Sequence, residues 1–196
     1  TIHASELEQK LSSLSSPTTA PPSETSLRAH ICSWDEALIM VNEWKTQGLK
    51  VGLTNGSFDL LHPGHVTYLN ASRERCDKLI VALNTDDSIK RYKSKDRPVN
   101  DLVARTQVMA ALGSVDMVVA FGGTPEEDDK PLKVIELLKP DMYFKGGDYT
   151  LETLPETPLV QGYGGIVEII QFVDGYSTTN IIQKMQGSST NKDEAA

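Results

Sequence analysis

The sequence is poor in positive charge and has no long apolar run. Its 196 residues hold 19 lysines and arginines against 27 aspartates and glutamates, a formal net charge of -8. Nucleic acids and anionic membranes attract clustered positive charge, so we expect neither as a partner. No apolar run approaches the roughly 18 residues of a membrane span, and the first residues lack the basic and apolar layout of a secretory signal. These absences favour a soluble, cytoplasmic protein.

Cysteine is also scarce, with Cys32 and Cys76 as the two occurrences. Neither lies in a CxxC pair or beside histidines at the spacing of a zinc site. A disulfide framework needs more cysteines than this in a chain of such length. The sequence therefore predicts two reduced thiols and no metal ligands among its residues.

The length allows one domain with a sizeable core and an appendage. Residues 12–32 begin with SSLSSPTTAPPSETS, which lacks apolar periodicity, and we expect a flexible linker there. A short capped helix in residues 1–11 precedes the linker. The predicted folded domain covers residues 33–186, and a disordered polar tail covers residues 187–196.

Apolar periodicity within the domain predicts alternating helices and strands. Ser33 and Glu36 form a capping box before a helix that ends near Gly48. Strands are predicted in KVGLT, KLIVALN, DMVVAF, DMYFKGG and IVEIIQF, and helices over residues 63–75 and 101–112 and in PLKVIELLK and STTNIIQKM. This alternation predicts an α/β fold, a Rossmann-like doubly wound parallel sheet with ligands at the carboxyl ends of its strands.

One stretch, LTNGSFDLLHPGH, leaves the first of these strands and enters a helix at Pro63. Its glycines allow backbone to approach a ligand closely, and the N-terminus of a helix favours phosphate. His62 and His65, three residues apart, could face one anion and polarise phosphoryl oxygens. On spacing alone another interpretation is open, in which one histidine caps the helix and the other packs on the sheet.

The run from Gly56 to His65 resembles the G-x-F-D-x-x-H-x-G-H signature of the cytidylyltransferase-like nucleotidyltransferases. A second signature of that superfamily, G-x-S-T-T/S, is similar to the stretch GYSTT, although hydroxyls before a helix are by themselves typical of an ordinary cap. Both motifs together favour the resemblance. It implies a fold of the HUP/nucleotidyltransferase type.

Further segments, RYKSKDRPVNDLVART, KPDMYFKGGDY and VDGYSTTNIIQKMQ, are similar to the adenylyltransferase domain of heptose-phosphate biosynthesis enzymes. The opening TIHASELEQKL also resembles the end of the sugar-kinase domain that precedes this domain in bifunctional members. Residues 1–11 are therefore expected to be the remnant of an upstream domain. Ser57, where the family often has cysteine, and the acidic loop GGTPEEDDKP depart from the family pattern.

This resemblance implies transfer of AMP from ATP to D-glycero-β-D-manno-heptose 1-phosphate, with Mg²⁺ accompanying ATP. The products would be pyrophosphate and ADP-heptose for lipopolysaccharide core biosynthesis, and we expect a homodimer. Two alternatives stay open. One is a cytidylyltransferase acting on a polyol or amino-alcohol phosphate, and the more distant one is a nucleotide-binding module without catalysis.

The resemblance also implies roles for individual residues. The expected catalytic residues are His62, His65 and Lys93. The expected ATP-binding residues are Asn55, Gly56, Ser57, Phe58, Gly64, Gly175, Ser177, Thr178 and Thr179. The expected substrate residues are Asp59, Lys145, Gly146 and Asp148. We call the run from Gly56 to His65 the signature loop. For Asp59, ordering of this loop is favoured over action as a base, because an ionised phosphate nucleophile has no proton to lose. The sequence does not indicate which of Arg91, Arg97 and Arg105 faces the substrate.

Overall fold

The computed structural model describes residues 27–124 and 129–171 together with Thr178, Ile181 and Ile182. Its described strands are β1 (His30–Ile31), β2 (Val51–Gly56), β3 (Lys78–Asn84), β4 (Met117–Phe121), β5 (Met142–Gly146) and β6 (Ile166–Ile170). They form one sheet in the order β1-β4-β3-β2-β5-β6, and every neighbouring pair is parallel. The predicted doubly wound parallel α/β sheet is confirmed.

The described helices are α1 (Trp34–Thr46), α2 (Pro63–Arg73), α3 (Asp86–Tyr92), α4 (Leu102–Ala110), α5 (Leu132–Leu138) and α6 (Thr157–Gly162). The predicted capping box is present at the start of α1, where Ser33 and Glu36 bond each other's backbone N–H groups. The sequence missed α3 and α6, which have seven and six residues, because helices this short carry little periodicity. Most of the closing helix predicted in STTNIIQKM lies outside the described residues.

Helices cover both faces of the sheet, and alternate strand residues point to each face. On one face, Ile80 and Ala82 of β3 pack with α1 and α5. On the other face, Leu79 and Val81 pack with α2 and α4. Burial on both sides explains why the central strands read as continuous apolar runs in the sequence.

The linker predicted over residues 12–32 extends too far toward the C-terminus. Ala29 is 5% exposed, and its N–H donates to the carbonyl oxygen of Ala110 at 2.9 Å. His30 and Ile31 then form β1, which pairs with β4 at the edge of the sheet. A strand of two residues has no detectable periodicity, so sequence patterns could not reveal it. Residues 1–26, with the predicted upstream remnant, and the predicted tail lie outside the described residues.

The strand order reverses direction between β2 and β5. From β2 the chain proceeds to β3 and β4 on one side, and then returns to place β5 and β6 on the other side. In open α/β sheets this switch leaves a crevice at the carboxyl ends of the strands, where ligands bind. The signature loop leaves β2 at that point.

Candidate active site

A cavity of about 780 Å³ lies at the carboxyl ends of β2, β3 and β5. Its volume is in the range of small-molecule sites, roughly 300–1,000 Å³. Among the predicted site residues, its wall contains Asn55, Gly56, Ser57, Phe58, His65, Lys93, Lys145, Gly146 and Asp148. Most of the predicted site residues that the structure describes therefore line one crevice. They come from three separate segments of the sequence.

The signature loop has a tight local geometry at its start. Phe58 adopts a left-handed backbone with φ 40°, which is uncommon for a residue with a side chain. Its ring lies against Gly56, where an added Cβ would come within 2.9 Å of the Phe58 side chain. A side chain at position 56 would force the Phe58 ring to move, and the turn directs the chain from β2 toward α2.

The two signature histidines form a stacked pair at the N-terminus of α2. Their ring centroids are 3.7 Å apart, and the His65 ring also packs at 5.1 Å from that of Phe58. His62 occupies the N-cap position, but its side chain makes no capping hydrogen bond. The Nδ1 atoms of both histidines are buried and have no hydrogen-bond partner among the described residues. His65 lines the cavity, whereas His62 stacks on the His65 ring and does not belong to the cavity wall.

Both histidines are held in the neutral form. Burial lowers the pKa of His65 to about 4, with smaller contributions from the charges of His62 and Lys93. Burial also lowers the pKa of His62. A neutral imidazole still offers one ring N–H as a hydrogen-bond donor, so this pair can bind an anion without first carrying a charge.

Lys93 follows α3 and reaches across the cavity to the signature loop. Its ammonium group donates to the hydroxyl oxygen of Ser57 at 2.8 Å. Burial lowers the pKa of Lys93, and the nearby Arg97 lowers it further. The hydrogen bond places a positive charge beside the signature loop, on the wall of the cavity.

Asp59, predicted among the substrate residues, does not belong to the described cavity wall. Its carboxylate is 4% exposed and accepts hydrogen bonds from the N–H groups of Val99 and Asn100 and from Arg97. These bonds tie the signature loop to the segment after Lys93. This arrangement agrees with the favoured interpretation that Asp59 orders the loop, because its oxygens are occupied by the protein.

The three arginines of the basic stretch are also paired with protein groups. Arg105 is 1% exposed and donates to Asp86 and to the carbonyl oxygens of Ser57 and Asn100. Arg97 bonds Asp59, and Arg91 bonds Asp129. None of the three belongs to the described cavity wall, so in this structure they hold the site's framework.

A second polar cluster lies at the end of β5. The ammonium group of Lys145 lies 3.2 Å from Asn55 Oδ1 and 3.4 Å from Glu156 Oε1. The hydroxyl of Tyr143 donates to the same Asn55 oxygen at 2.6 Å. Lys145 also lies 5.5 Å from the ring centroid of Tyr149, a cation–π distance. This cluster lies on the cavity wall around the end of β5, whereas Lys93 follows α3. Lys145 gives the cluster its own positive charge.

The second predicted motif is described at one residue. Thr178 is helical, and its hydroxyl lies 3.4 Å from the carbonyl oxygen of Leu60 in the signature loop. The two motifs therefore meet in the fold. Gly175, Ser177 and Thr179 lie outside the described residues, and Gly64 is buried in the first turn of α2.

Sequence reasoning missed several residues of the cavity wall, chiefly Asn84, Tyr92, Asp129, Tyr149 and Glu156. Asn84 had a usable signal, since it is a polar residue that ends the buried apolar run KLIVALN. Tyr149 could have been found beside the motif FKGGD. Glu156 had none, because it belongs to a loop without periodicity before the unpredicted α6.

The described part of the chain lacks a metal cluster and a membrane-spanning helix. No group of three or more histidine, cysteine, aspartate or glutamate side chains there could hold a metal ion. None of the described helices has both the length and the apolar character that crossing a membrane requires.

The switch-point cavity, the stacked histidines at a helix N-terminus and the two lysines define a nucleotidyltransferase-type α/β domain. The cytidylyltransferase-like family profile matches residues 53–184. The chain belongs to this family and is a nucleotidyltransferase.

Curated relatives share the name bifunctional protein HldE. The protein from Bradyrhizobium diazoefficiens is 48% identical over 147 residues, 75% of this chain and 29% of the relative. The protein from Mesorhizobium japonicum is 50% identical over 151 residues, 77% of this chain and 29% of the relative. This chain thus spans less than a third of the length of these relatives.

Two solved structures are similar in fold. The lipopolysaccharide core biosynthesis protein from Thermoplasma volcanium has a TM-score of 0.51 and 27% identity, covering 66% of this chain and 100% of that one. The pantoate-beta-alanine ligase from Francisella tularensis has a TM-score of 0.56 and 15% identity, covering 81% of this chain and 77% of that one. The second likeness concerns the fold alone.

Proposed function

We propose that this domain transfers AMP from ATP to D-glycero-β-D-manno-heptose 1-phosphate, giving ADP-heptose and pyrophosphate. The observation that carries the proposal is the convergence of His65, Lys93 and Lys145 on one cavity at the switch point of the sheet. Identities near 48% to proteins named bifunctional protein HldE support the choice of substrate. The product would supply lipopolysaccharide core assembly.

The reaction needs no covalent enzyme intermediate. A phosphate oxygen of the sugar 1-phosphate attacks the α-phosphorus of ATP in line, and the bond between the α-phosphorus and the bridging oxygen breaks as pyrophosphate leaves. One P–O bond forms as another breaks, and the nucleophile is already ionised. Catalysis is therefore positioning and charge neutralisation by groups fixed before the substrate arrives.

The described residues divide these tasks between the two sides of the cavity. The His65 imidazole would donate to an ATP phosphate oxygen, with His62 stacked behind it. Lys93, already directed at Ser57, would neutralise charge that develops on the α-phosphate. Lys145 would hold the phosphate of the sugar. Ser177 and Thr178 are proposed to bind the outer phosphates of ATP at the N-terminus of the closing helix predicted from the sequence.

Mg²⁺ would enter with ATP and offset the charge of the leaving pyrophosphate. Magnesium sites at nucleotides use substrate phosphates, waters and one or two carboxylates, so a dedicated cluster is not needed. Asp148, exposed on the cavity wall, is the carboxylate that fits this role.

The setting of the domain is proposed on the same basis. From the resemblance of residues 1–11 we propose an upstream sugar kinase in the full protein. The relatives' printed name is bifunctional, and this chain covers about 29–31% of their length, which supports a longer protein with a second unit. We propose that the enzyme acts in the cytoplasm, where ATP is available, and that it is a homodimer. Sedimentation of the full protein would measure the oligomeric state.

The test of the proposed function is pyrophosphate release with a panel of substrates. ATP or CTP is combined with Mg²⁺ and heptose 1-phosphate, mannose 1-phosphate or glycerol 3-phosphate. We expect the fastest release with ATP and heptose 1-phosphate, and a product with the mass of ADP-heptose. A comparable rate with CTP would support the cytidylyltransferase alternative, and no release with any pair would support a binding module. A His65→Ala sample excludes a contaminating activity.

A further inference from the structure

Glu156 is a buried acid on the cavity wall for which the proposed chemistry has no use. It lies just before α6 and is 2% exposed. Its carboxylate belongs to the lining of the cavity, on the side that holds Lys145. Acidic side chains are seldom buried this completely without full pairing, and an acid would repel the phosphates that the lysines attract.

The pairing of this carboxylate is half complete. Oε1 lies 3.4 Å from the Lys145 ammonium group. Oε2 is buried and accepts no hydrogen bond from any residue that the structure describes. Leaving a buried carboxylate oxygen without a donor is costly, so such groups in native sites call for an explanation. A ligand that supplies the missing donor would provide one.

The neighbours of Glu156 limit the chemistry of that donor. Lys145 already provides the positive charge, and together the two side chains form a neutral pair, so a cationic ligand is not required. The Tyr143 hydroxyl also lies near the Glu156 carboxylate, and burial and the charge of Glu156 raise the pKa of Tyr143, but the hydroxyl donates its one proton to Asn55 Oδ1 at 2.6 Å. Neutral donors that suit a carboxylate include N–H and hydroxyl groups, and two adjacent hydroxyls can bond its two oxygens at once. The last torsion of the side chain is a broad one, so the two equivalent carboxylate oxygens can exchange positions between Lys145 and a ligand.

An aromatic ring beside this pair fits the same kind of ligand. Tyr149 lines the cavity, is 50% exposed, and lies 5.5 Å from Lys145 Nζ. An exposed ring provides an apolar surface for the C–H face of a sugar, while the acid provides acceptors at its edge. Of the groups assigned to the reacting phosphates, His65 and Lys93 come from other segments, whereas Lys145, assigned to the phosphate of the sugar, is the partner of Glu156.

We propose that Glu156 is a specificity-determining residue whose carboxylate accepts hydrogen bonds from the hydroxyl groups of a bound sugar ring. Resting on the proposed function, this inference adds how the site recognises a polyhydroxylated substrate. Both substrates of the proposed reaction carry such a ring, the ribose of ATP and the acceptor sugar. The chemistry is the same for both, and the experiment separates them.

The experiment measures binding of matched ligands by calorimetry. Wild type, Glu156→Gln, Glu156→Ala and the control Glu152→Gln, a change at an exposed acid of the same loop, are compared. The ligands are ATP, its 2′-deoxy and 3′-deoxy forms, heptose 1-phosphate and its singly deoxygenated analogues. We expect wild type and the control to lose about tenfold or more in affinity when one particular hydroxyl is removed. In Glu156→Ala, removal of the same hydroxyl should cost less than about twofold.

The ligand series that shows this difference identifies the ring, ribose or acceptor sugar. A purely structural role through Lys145 would weaken every ligand by one factor and leave each hydroxyl penalty unchanged. Equal penalties in wild type and variants, or no binding of either series by wild type, would overturn the inference. If Glu156→Ala does not fold, the isosteric Glu156→Gln replaces it: glutamine keeps one uncharged acceptor oxygen, so the hydroxyl penalty should still be smaller than in wild type, by less than in alanine. Because the readout is binding, absent pyrophosphate release would count against the proposed function and not against Glu156.

Discussion

The imidazole rings of His62 and His65 stack at 3.7 Å between centroids, with an angle of 19° between their planes, where the signature loop enters α2. Two charged imidazoles at this distance would repel each other, and burial penalises charge on either ring. The pair is therefore neutral in the free protein. It can act as a fixed donor whose bond to phosphate strengthens as negative charge develops.

We predict that His65→Ala keeps the fold and lowers the rate of pyrophosphate release by about a hundredfold or more, the usual effect of removing one preorganised donor. Steady-state kinetics and circular dichroism measure the two properties. The matched control is His30→Ala, because the side chain of His30 is exposed on β1, away from the cavity. Full activity of His65→Ala would mean that this histidine is structural.

The low pKa of His65 also predicts how stability depends on pH. Its ordinary value is 6.5, and burial lowers it to about 4, so between these values the unfolded chain binds more protons than the native one. Native stability is then greatest above the unfolded pKa and falls as pH decreases toward 4. The free energy of unfolding, measured with urea at several pH values between about 5 and 6.5, should rise less steeply with pH for His65→Gln than for wild type. Equal slopes would contradict the assignment of a buried, neutral His65.

We predict that Lys93→Ala lowers kcat by about a hundredfold while changing the affinity for ATP much less, because its charge is needed most as the α-phosphate becomes crowded. Single-turnover kinetics and calorimetry separate the two quantities. Lys95→Ala is the control, since Lys95 is exposed in the same segment and does not line the cavity. A fall in affinity with kcat unchanged would assign Lys93 to ground-state binding.

The sequence predicted the parts of the site that depend on local patterns. The buried run KLIVALN gave β3 with both ends correct, and the signature placed His65 at the mouth of α2. Local sequence patterns could not predict contacts between segments that are far apart in the chain. Arg105 meets Ser57 and Asp86 through packing of α4 on the sheet, and Glu156 reaches the cavity from a loop without periodicity. Such residues acquire their roles from tertiary structure alone.

The hydrogen-bond network around Asp59 predicts that a change at this residue lowers the stability of the fold. Its carboxylate accepts from two backbone N–H groups and from Arg97, whose ion pair is 2.8 Å long. Asp59→Asn weakens these bonds and leaves Arg97 without its partner, and we expect a decrease of about 1–3 kcal/mol in the free energy of unfolding. Asp96→Asn is the control, as Asp96 is exposed nearby. Unchanged stability would mean that the loop is held by other contacts.

The segment before α1 provides the test of where the domain begins. Ala29 is 5% exposed and belongs to the core cluster that includes Leu69 of α2 and Met109 of α4. A carboxylate at this position would be buried without a partner, so Ala29→Asp should lower the free energy of unfolding by about 3 kcal/mol or more. His30→Asp introduces the same group one residue later on an exposed side chain and should cost less than about 1 kcal/mol. Chemical denaturation of both variants measures the difference. If the two changes cost the same small amount, residues 27–32 do not contribute to the fold, and the linker would end at residue 32 as the sequence first indicated.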